Sequence, residues 1–153
     1  MTRDILVKLM DSDEIVDVSN LWMQFLRETT ALTSAADRKK ILSDGITLLE
    51  NVLASGNDVL VLRYKNAVVG FSIIGMEENA GIISSIYVTP VYRGIGLGAL
   101  LLSESESSLA SLGASVIIAT SLSPSSALFF RTHGYLQIDE DIMMKQMNKY
   151  NAA

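Results

Sequence analysis

The sequence predicts a mixed α/β (α+β) domain: a mostly antiparallel central sheet of about seven strands with helices on both faces, occupying residues 1–153 as a single unit. Three observations predict it. Apolar residues recur at spacings of three and four between Ile15 and Phe25 and again between Leu42 and Leu53, the stripe of amphipathic helices. From Val59 to Val88 the pattern changes to short runs rich in β-branched residues, broken by turn residues, as in an antiparallel meander. After Pro90 a glycine-rich turn opens a helix, and the chain then alternates strand, helix and two strands.

The elements follow in order. Residues 5–10 are an apolar run and form the first strand. Asp11-Ser12-Asp13-Glu14 can cap the helix that carries Ile15, Val18, Trp22 and Phe25 on its buried face. A second helix starts near Ser34, which has capping-box spacing with Asp37. Its core face is Leu42, Ile46, Leu49 and Leu53, and Ser55-Gly56-Asn57 stops it, since Gly and Asn tolerate the left-handed conformation. Strands cover 59–62, 68–74 and 82–88, with turns at Lys65-Asn66 and 77–81. The helix after Pro90 puts Gly98, Leu101, Leu102, Leu109 and Leu112 on one face and ends at Gly113. A strand at 116–119, a short helix at 123–131 and strands near 135–138 and 142–147 complete the chain, the last two flanking Asp139-Glu140-Asp141.

Composition bounds the chemistry. A chain of 153 residues, 49% apolar and 19% charged, buries a core without disulfide or metal staples. With no cysteine and one histidine, His133, a thiolate nucleophile, a structural zinc site and a His cluster are excluded, and no metal is expected. A net charge of −5 argues against nucleic acid, whose phosphates need clustered Lys and Arg. It suits a cationic small molecule or basic peptide, and equally plain solubility. The longest uncharged run, 107–130, holds Gly113, Pro124 and many serines, so no membrane span is expected. The first residues lack the basic region and apolar core of a secretory signal, which leads us to expect a cytoplasmic location.

The segment richest in chemistry runs from Tyr87 through Val88, Pro90 and Arg93-Gly94-Ile95-Gly96-Leu97-Gly98-Ala99, where strand becomes helix. Backbone amides at a helix start lack partners and the dipole is positive there, so the turn is a natural anion site. Glycines at 94, 96 and 98 remove side chains that would keep a phosphate away, and Arg93 adds a charged donor. A packing turn without ligand is one alternative. A dinucleotide site is another, because Gly94-x-Gly96-x-x-Ala99 fits a relaxed fingerprint; it would need an early βαβ unit and an acidic residue after the next strand, and 115–123 contains none.

Val88-x-Pro90-x-x-Arg93-Gly94-x-Gly96-x-Gly98 resembles motif A of the GNAT family of N-acetyltransferases, whose core Gln/Arg-x-x-Gly-x-Gly/Ala is matched by Arg93, Gly96 and Gly98. Downstream, Ser123-x-x-Ser126-x-x-Phe129-Phe130-x-x-x-Gly134-Tyr135 is similar to that family's Asn-x-x-Ala-x-x-Phe-Tyr-x-x-x-Gly-Phe segment, and the element order agrees from residue 5 to 147. The resemblance implies the GNAT fold and transfer of an acetyl group from acetyl-CoA to an amine. It implies that the pyrophosphate of CoA rests on the amides of Arg93, Gly94, Ile95, Gly96, Leu97, Gly98 and Ala99, and that the pantetheine arm pairs with the splayed strand around Ile86 and Val88. The Val88 amide would then hold the acetyl oxygen, and Ser123, Ser126 and Phe129 would cover the arm. Homodimers are common among such proteins, so pairing of two copies through sheets or C-terminal strands is a further expectation.

The chain departs from the family in its acid and its base. Phe130 stands where a tyrosine usually protonates the departing thiolate, leaving Tyr87, His133 and Tyr135 as substitutes, each also readable as packing or surface. Strand 82–88 offers Ser84 and Ser85 but no glutamate, and Glu77 and Glu78 lie in a turn. The acceptor is expected against residues 25–33 and the loops around Glu77 and Asp139, with Glu28 facing a cation and Phe25 forming an apolar wall, although Trp22 and Phe25 also suit the core. The departures favour an alternative, an acyl-CoA-binding regulatory module with weak or lost catalysis.

Overall fold

The computed structural model describes residues 4–29, 35–120 and 122–147. The cap expected at Ser34 and Asp37, the core position expected of Leu42 and the tail after 147 lie outside the described residues and side chains. The elements are β1 (Ile5–Leu9), α1 (Ile15–Thr29), α2 (Ala35–Ala54), β2 (Asp58–Tyr64), β3 (Ala67–Glu77), β4 (Ala80–Val88), α3 (Leu97–Ser111), β5 (Val116–Ala119), α4 (Pro124–Thr132), β6 (Leu136–Asp139) and β7 (Ile142–Gln146). This is the predicted order. The strands form one seven-stranded sheet, β1-β2-β3-β4-β5-β7-β6, in which only β4 and β5 pair in parallel.

Period-two alternation explains why the central strands read as unbroken apolar runs: both sheet faces are covered. In β2, Leu60 and Leu62 pack on one face with Leu97, Leu101, Leu102 and Leu109 of α3. Val59 and Val61 pack on the other with Val18 and Leu21 of α1 and Leu49 of α2. Two expected core positions fall outside. Leu53 is 42% exposed because the last turn of α2 directs Val52, three residues after Leu49, inward instead. Leu112 is 58% exposed because it stands at the end of α3, past the last turn that faces the sheet.

The acidic cap does more than start a helix. Glu14 accepts from the Asp11 amide at 2.9 Å within a capping box that heads a short 3-10 turn leading into α1. Although 5% exposed, it also meets Lys8 of β1 and Arg63 of β2, each at 2.6 Å. One carboxylate thus ties the α1 entrance to two strands.

A β-bulge shapes the centre. Ile73 pairs with Ser85 and Ile74 with Ile83, so Ser84 is an extra residue in β4. Bulges redirect the strand beyond them. Here that strand end leads to the site.

Candidate functional site

The parallel pairing of β4 with β5 runs from Ala80 and Val116 to Ile83 and Ala119, extended by the Thr120 amide to the Ile83 carbonyl at 3.0 Å. Beyond it β4 continues five residues, 84 to 88, with no strand among the described residues on that side. The Thr89 amide bonds the Val69 carbonyl of β3 at 2.9 Å. By the alternation of an antiparallel strand, Tyr87 then addresses β3 while the amides of Ile86 and Val88 address the gap. The Val88 carbonyl on that side accepts from Arg93 Nε at 2.7 Å.

At the end of β4, Pro90 opens a 3-10 turn and the chain passes through Gly94 (φ 82°) and Gly96 (φ 89°), both in the left-handed region, before α3 begins. A Cβ at either glycine would meet nothing within 4 Å, so their outer faces are open. Leu100 is the first amide of α3 to find a carbonyl one turn back, on Gly96 at 3.1 Å, so the amides of Leu97, Gly98 and Ala99 start the helix unpaired. A Cβ at Gly98 would make ordinary contact with the Phe129 ring at 3.4 Å, so α4 packs here against the start of α3. The Leu97 side chain is buried in the core, leaving its backbone to the turn.

Between the gap, the turn and α4 lies a cavity of about 460 Å³, the size of a small-molecule site. Ile86, Tyr87 and Val88 form its floor, and Arg93 and Gly98 its side at the turn. Ser123, Ser126 and Phe129 face them from α4, and Phe25 and Glu28 of α1 close the remaining end. Ten of the residues singled out in the sequence thus meet in one place. The α4 wall is fixed by a reciprocal cap in which Ser126 N donates to Ser123 Oγ at 3.2 Å and Ser123 N to Ser126 Oγ at 2.8 Å, with Pro124 preset for the first turn.

The α1 end carries charge. Arg93 Nη2 meets both carboxylate oxygens of Glu28, at 2.9 and 3.1 Å, and the Tyr87 hydroxyl donates to Glu28 Oε1 at 2.8 Å. The Arg93 guanidinium also stands 5.2 Å over the Tyr87 ring. Burial first, and then the Glu28 carboxylate, push the Tyr87 phenol far above its ordinary value, so it stays protonated at neutral pH.

His133 and Tyr135 are not brought to this cavity. His133 caps the end of α4 with Nδ1 2.8 Å from the Phe129 carbonyl and its ring 4.6 Å from the Phe129 ring. Tyr135 is fully buried, with its hydroxyl donated to Glu106 at 2.7 Å, and burial followed by that carboxylate raises it steeply. Its ring packs 5.0 Å from that of Phe130. Both are held by structural contacts, His133 at the foot of α4 and Tyr135 in the core between α4 and the edge strand β6. Two features were missed. Ser125 lines the cavity, but no motif position marks it. The Glu28–Arg93 contact joins residues that only the folded sheet brings together.

A family model described as acetyltransferase (GNAT) domain matches residues 28–148. No curated protein matches the chain significantly in sequence. Among solved structures, the PaiA N-acetyltransferase from Thermoplasma acidophilum in complex with coenzyme A superposes with a TM-score of 0.79 at 15% identity, covering 94% of this chain and 99% of that one. A GNAT family acetyltransferase from Brucella melitensis in complex with acetyl-CoA gives 0.69 at 14% identity, covering 94% and 88%. Ribosomal-protein-alanine N-acetyltransferase from the same organism gives 0.69 at 20% identity, covering 93% and 99%. At these identities the likeness is one of fold.

Proposed function

Because the chain belongs to the GNAT acetyltransferase family, we propose that it binds acetyl-CoA in the cavity between β4, the glycine turn and α4 and transfers the acetyl group to a primary amine of a small molecule or peptide. One observation carries the reading: the open edge of β4, the start of α3 at Gly98 and the α4 wall face a single cavity, with the rest of the glycine turn lying beyond its lining. The residues fit the donor in kind. A pyrophosphate needs several N–H donors with no side chain in the way, which the segment from Gly94 to Ala99 offers through Gly94 and Gly96; the expected Arg93 amide is not among them, because it closes the 3-10 turn on the Pro90 carbonyl at 3.2 Å. An amide-bearing arm needs an unpaired strand edge, which Ile86 and Val88 offer, with Phe129 as an apolar cover and Ser123 and Ser126 as hydroxyl partners.

Acetyl-CoA supplies an activated thioester, and the protein positions it. The Ile86 and Val88 amides aim at the place where the acetyl oxygen gains charge, a contact that strengthens in the transition state. Phe25 shields the acceptor end from water, and Glu28, held by Arg93 and Tyr87, presents negative charge to an incoming amine. Tyr87, kept protonated, braces Glu28. The reading extends to a homodimer paired along β6, the outermost strand, where Leu136 and Ile138 are 72% and 54% exposed. A monomeric wild-type mass in light scattering would remove that part.

Calorimetric titration with acetyl-CoA and with NAD, followed by thiol release with a panel of primary amines, tests the whole. Acetyl-CoA binding with turnover on at least one amine is the expected result, and NAD binding alone would overturn it. Stoichiometric acetyl-CoA binding with no turnover would select the second reading, a regulatory acyl-CoA-binding module, which the apolar Phe130 and the absence of a carboxylate on β4 favour.

A further inference from the structure

Beside the main cavity, sharing Phe25, Ile86 and Ser126 as walls, lies a second space of about 10 Å³, the room one water molecule occupies. It sits where β4 leaves β5, and Ile83, Ser85, Thr120 and Phe130 complete its lining. Among the described residues no ionisable side chain lines it; the nearest titratable groups, Glu28, Arg93 and Tyr87, line the larger cavity. The Ser126 hydroxyl is taken up by the α4 cap, but those of Ser85 and Thr120 have no hydrogen-bond partner among the described residues. Ser85 and Thr120 thus bring two hydroxyls without a protein partner to the lining of a water-sized space, and a water is stable where two or more polar partners meet it. Phe130, 2% exposed, forms the wall where a tyrosine would have placed its own hydroxyl.

We infer that Ser85 and Thr120 are positioning residues that hold one water as a proton relay between the acceptor nitrogen and the departing sulfur. The inference rests on the acetyl transfer proposed above and supplies the acid and base that transfer lacks. A neutral amine adds its lone pair to the acetyl carbon while the carbonyl pair moves onto oxygen, held by the β4 amides. As that pair returns, the C–S bond breaks and its electrons leave on sulfur. Nitrogen then holds one proton too many and sulfur one too few. The water accepts the first and gives up one of its own, and it ends as water. One relay replaces a separate base and acid, so β4 needs no glutamate and the Phe130 position no phenol.

The test begins with a crystal structure of the protein with CoA bound. A water within hydrogen-bond distance of Ser85 Oγ, Thr120 Oγ1 and the CoA sulfur is expected, and a space filled by side chain or cofactor would overturn the relay. Kinetics use whichever of spermidine, tyramine or an alanyl peptide the wild-type protein acetylates fastest. Ser85→Ala with Thr120→Val should lower kcat about 100-fold with KM for acetyl-CoA unchanged. Adding Phe130→Tyr to that pair should recover at least about tenfold and give kcat an alkaline limb as the new phenol ionises. Thr120→Ser, which keeps the hydroxyl, should retain at least about tenfold more kcat than Thr120→Val, a comparison that does not depend on the double variant folding. A folded double variant within threefold of wild-type kcat would overturn the relay. Acetyl-CoA binding without turnover on any of the three amines would fail the transfer reading instead, and the CoA-bound structure alone would then decide whether the water is held.

Discussion

Glu28 and Arg93, 65 positions apart in sequence, share one ion pair at the α1 end of the cavity, where a single guanidinium nitrogen reaches both carboxylate oxygens at 3.1 and 2.9 Å. With Tyr87 donating to the same carboxylate, Glu28 is an anion already partly answered. An incoming cation shares it rather than claiming it.

Glu28→Gln should therefore raise KM for a cationic amine by about tenfold, one lost charge contact, while changing KM for acetyl-CoA little. Folding stability should move by less than about 1 kcal/mol, because both partners are more than a third exposed. Steady-state kinetics with a cationic and an uncharged acceptor, beside thermal unfolding, checks both.

Gly96→Glu places a carboxylate among the free amides of the turn. Nothing lies within 4 Å of a Cβ there, so the cost to folding is the left-handed backbone, about 1 kcal/mol. Acetyl-CoA affinity should fall at least about 100-fold, the cost of two or more lost phosphate contacts and charge repulsion. Gly96→Ala, which shares the strain without the charge, should lose far less by calorimetry. Equal losses in the two variants would show that strain, not phosphate contact, is responsible.

Tyr135→Phe tests whether this buried phenol serves catalysis or the core. Removing its 2.7 Å contact leaves Glu106 with Lys145 at 3.2 Å and should cost about 1–2 kcal/mol in urea unfolding, with kcat unchanged. A large fall in kcat without loss of stability would place Tyr135 in the chemistry after all.

Glu14→Gln separates stability from function. Burial alone would raise this carboxyl, but the Asp11 amide, Lys8 and Arg63 together hold it below the ordinary 4.5. A carboxyl depressed by folding lends stability above its ordinary value and withdraws it as pH falls through the folded one. The variant should thus be less stable by about 2 kcal/mol at pH 7, with the difference shrinking below pH 4. Urea midpoints at pH 7 and pH 3 read it directly.

Element order and the turn were legible because each rests on local physics: β-branched alternation in 59–88, helical spacing around Val18, and glycines where backbone must turn left-handed. The inward turn of Val52 in place of Leu53 was not, since both keep helical spacing from Leu49 and only the facing sheet chooses. Within the site, motif spacing marked the residues on β4, the turn and α4. It could not separate Tyr87, which reaches the cavity, from Tyr135, which does not, because two tyrosines differ here only in what the tertiary fold packs over them. Nor could it mark Thr120, whose place in the site depends on where two strands part company.

That parting also bears on the order of assembly. The β2–β3 and β3–β4 pairings close loops of a few residues, whereas β4 meets β5 only after α3 has crossed over between them. Contacts of short sequence separation form first, since they sacrifice the least chain entropy. The meander can therefore be ordered while the C-terminal strands are still undocked, and an intermediate of that kind has a sheet but no ligand gap. The cavity is complete only once this long-range junction has closed, so its formation reports the docking of β5 on the meander.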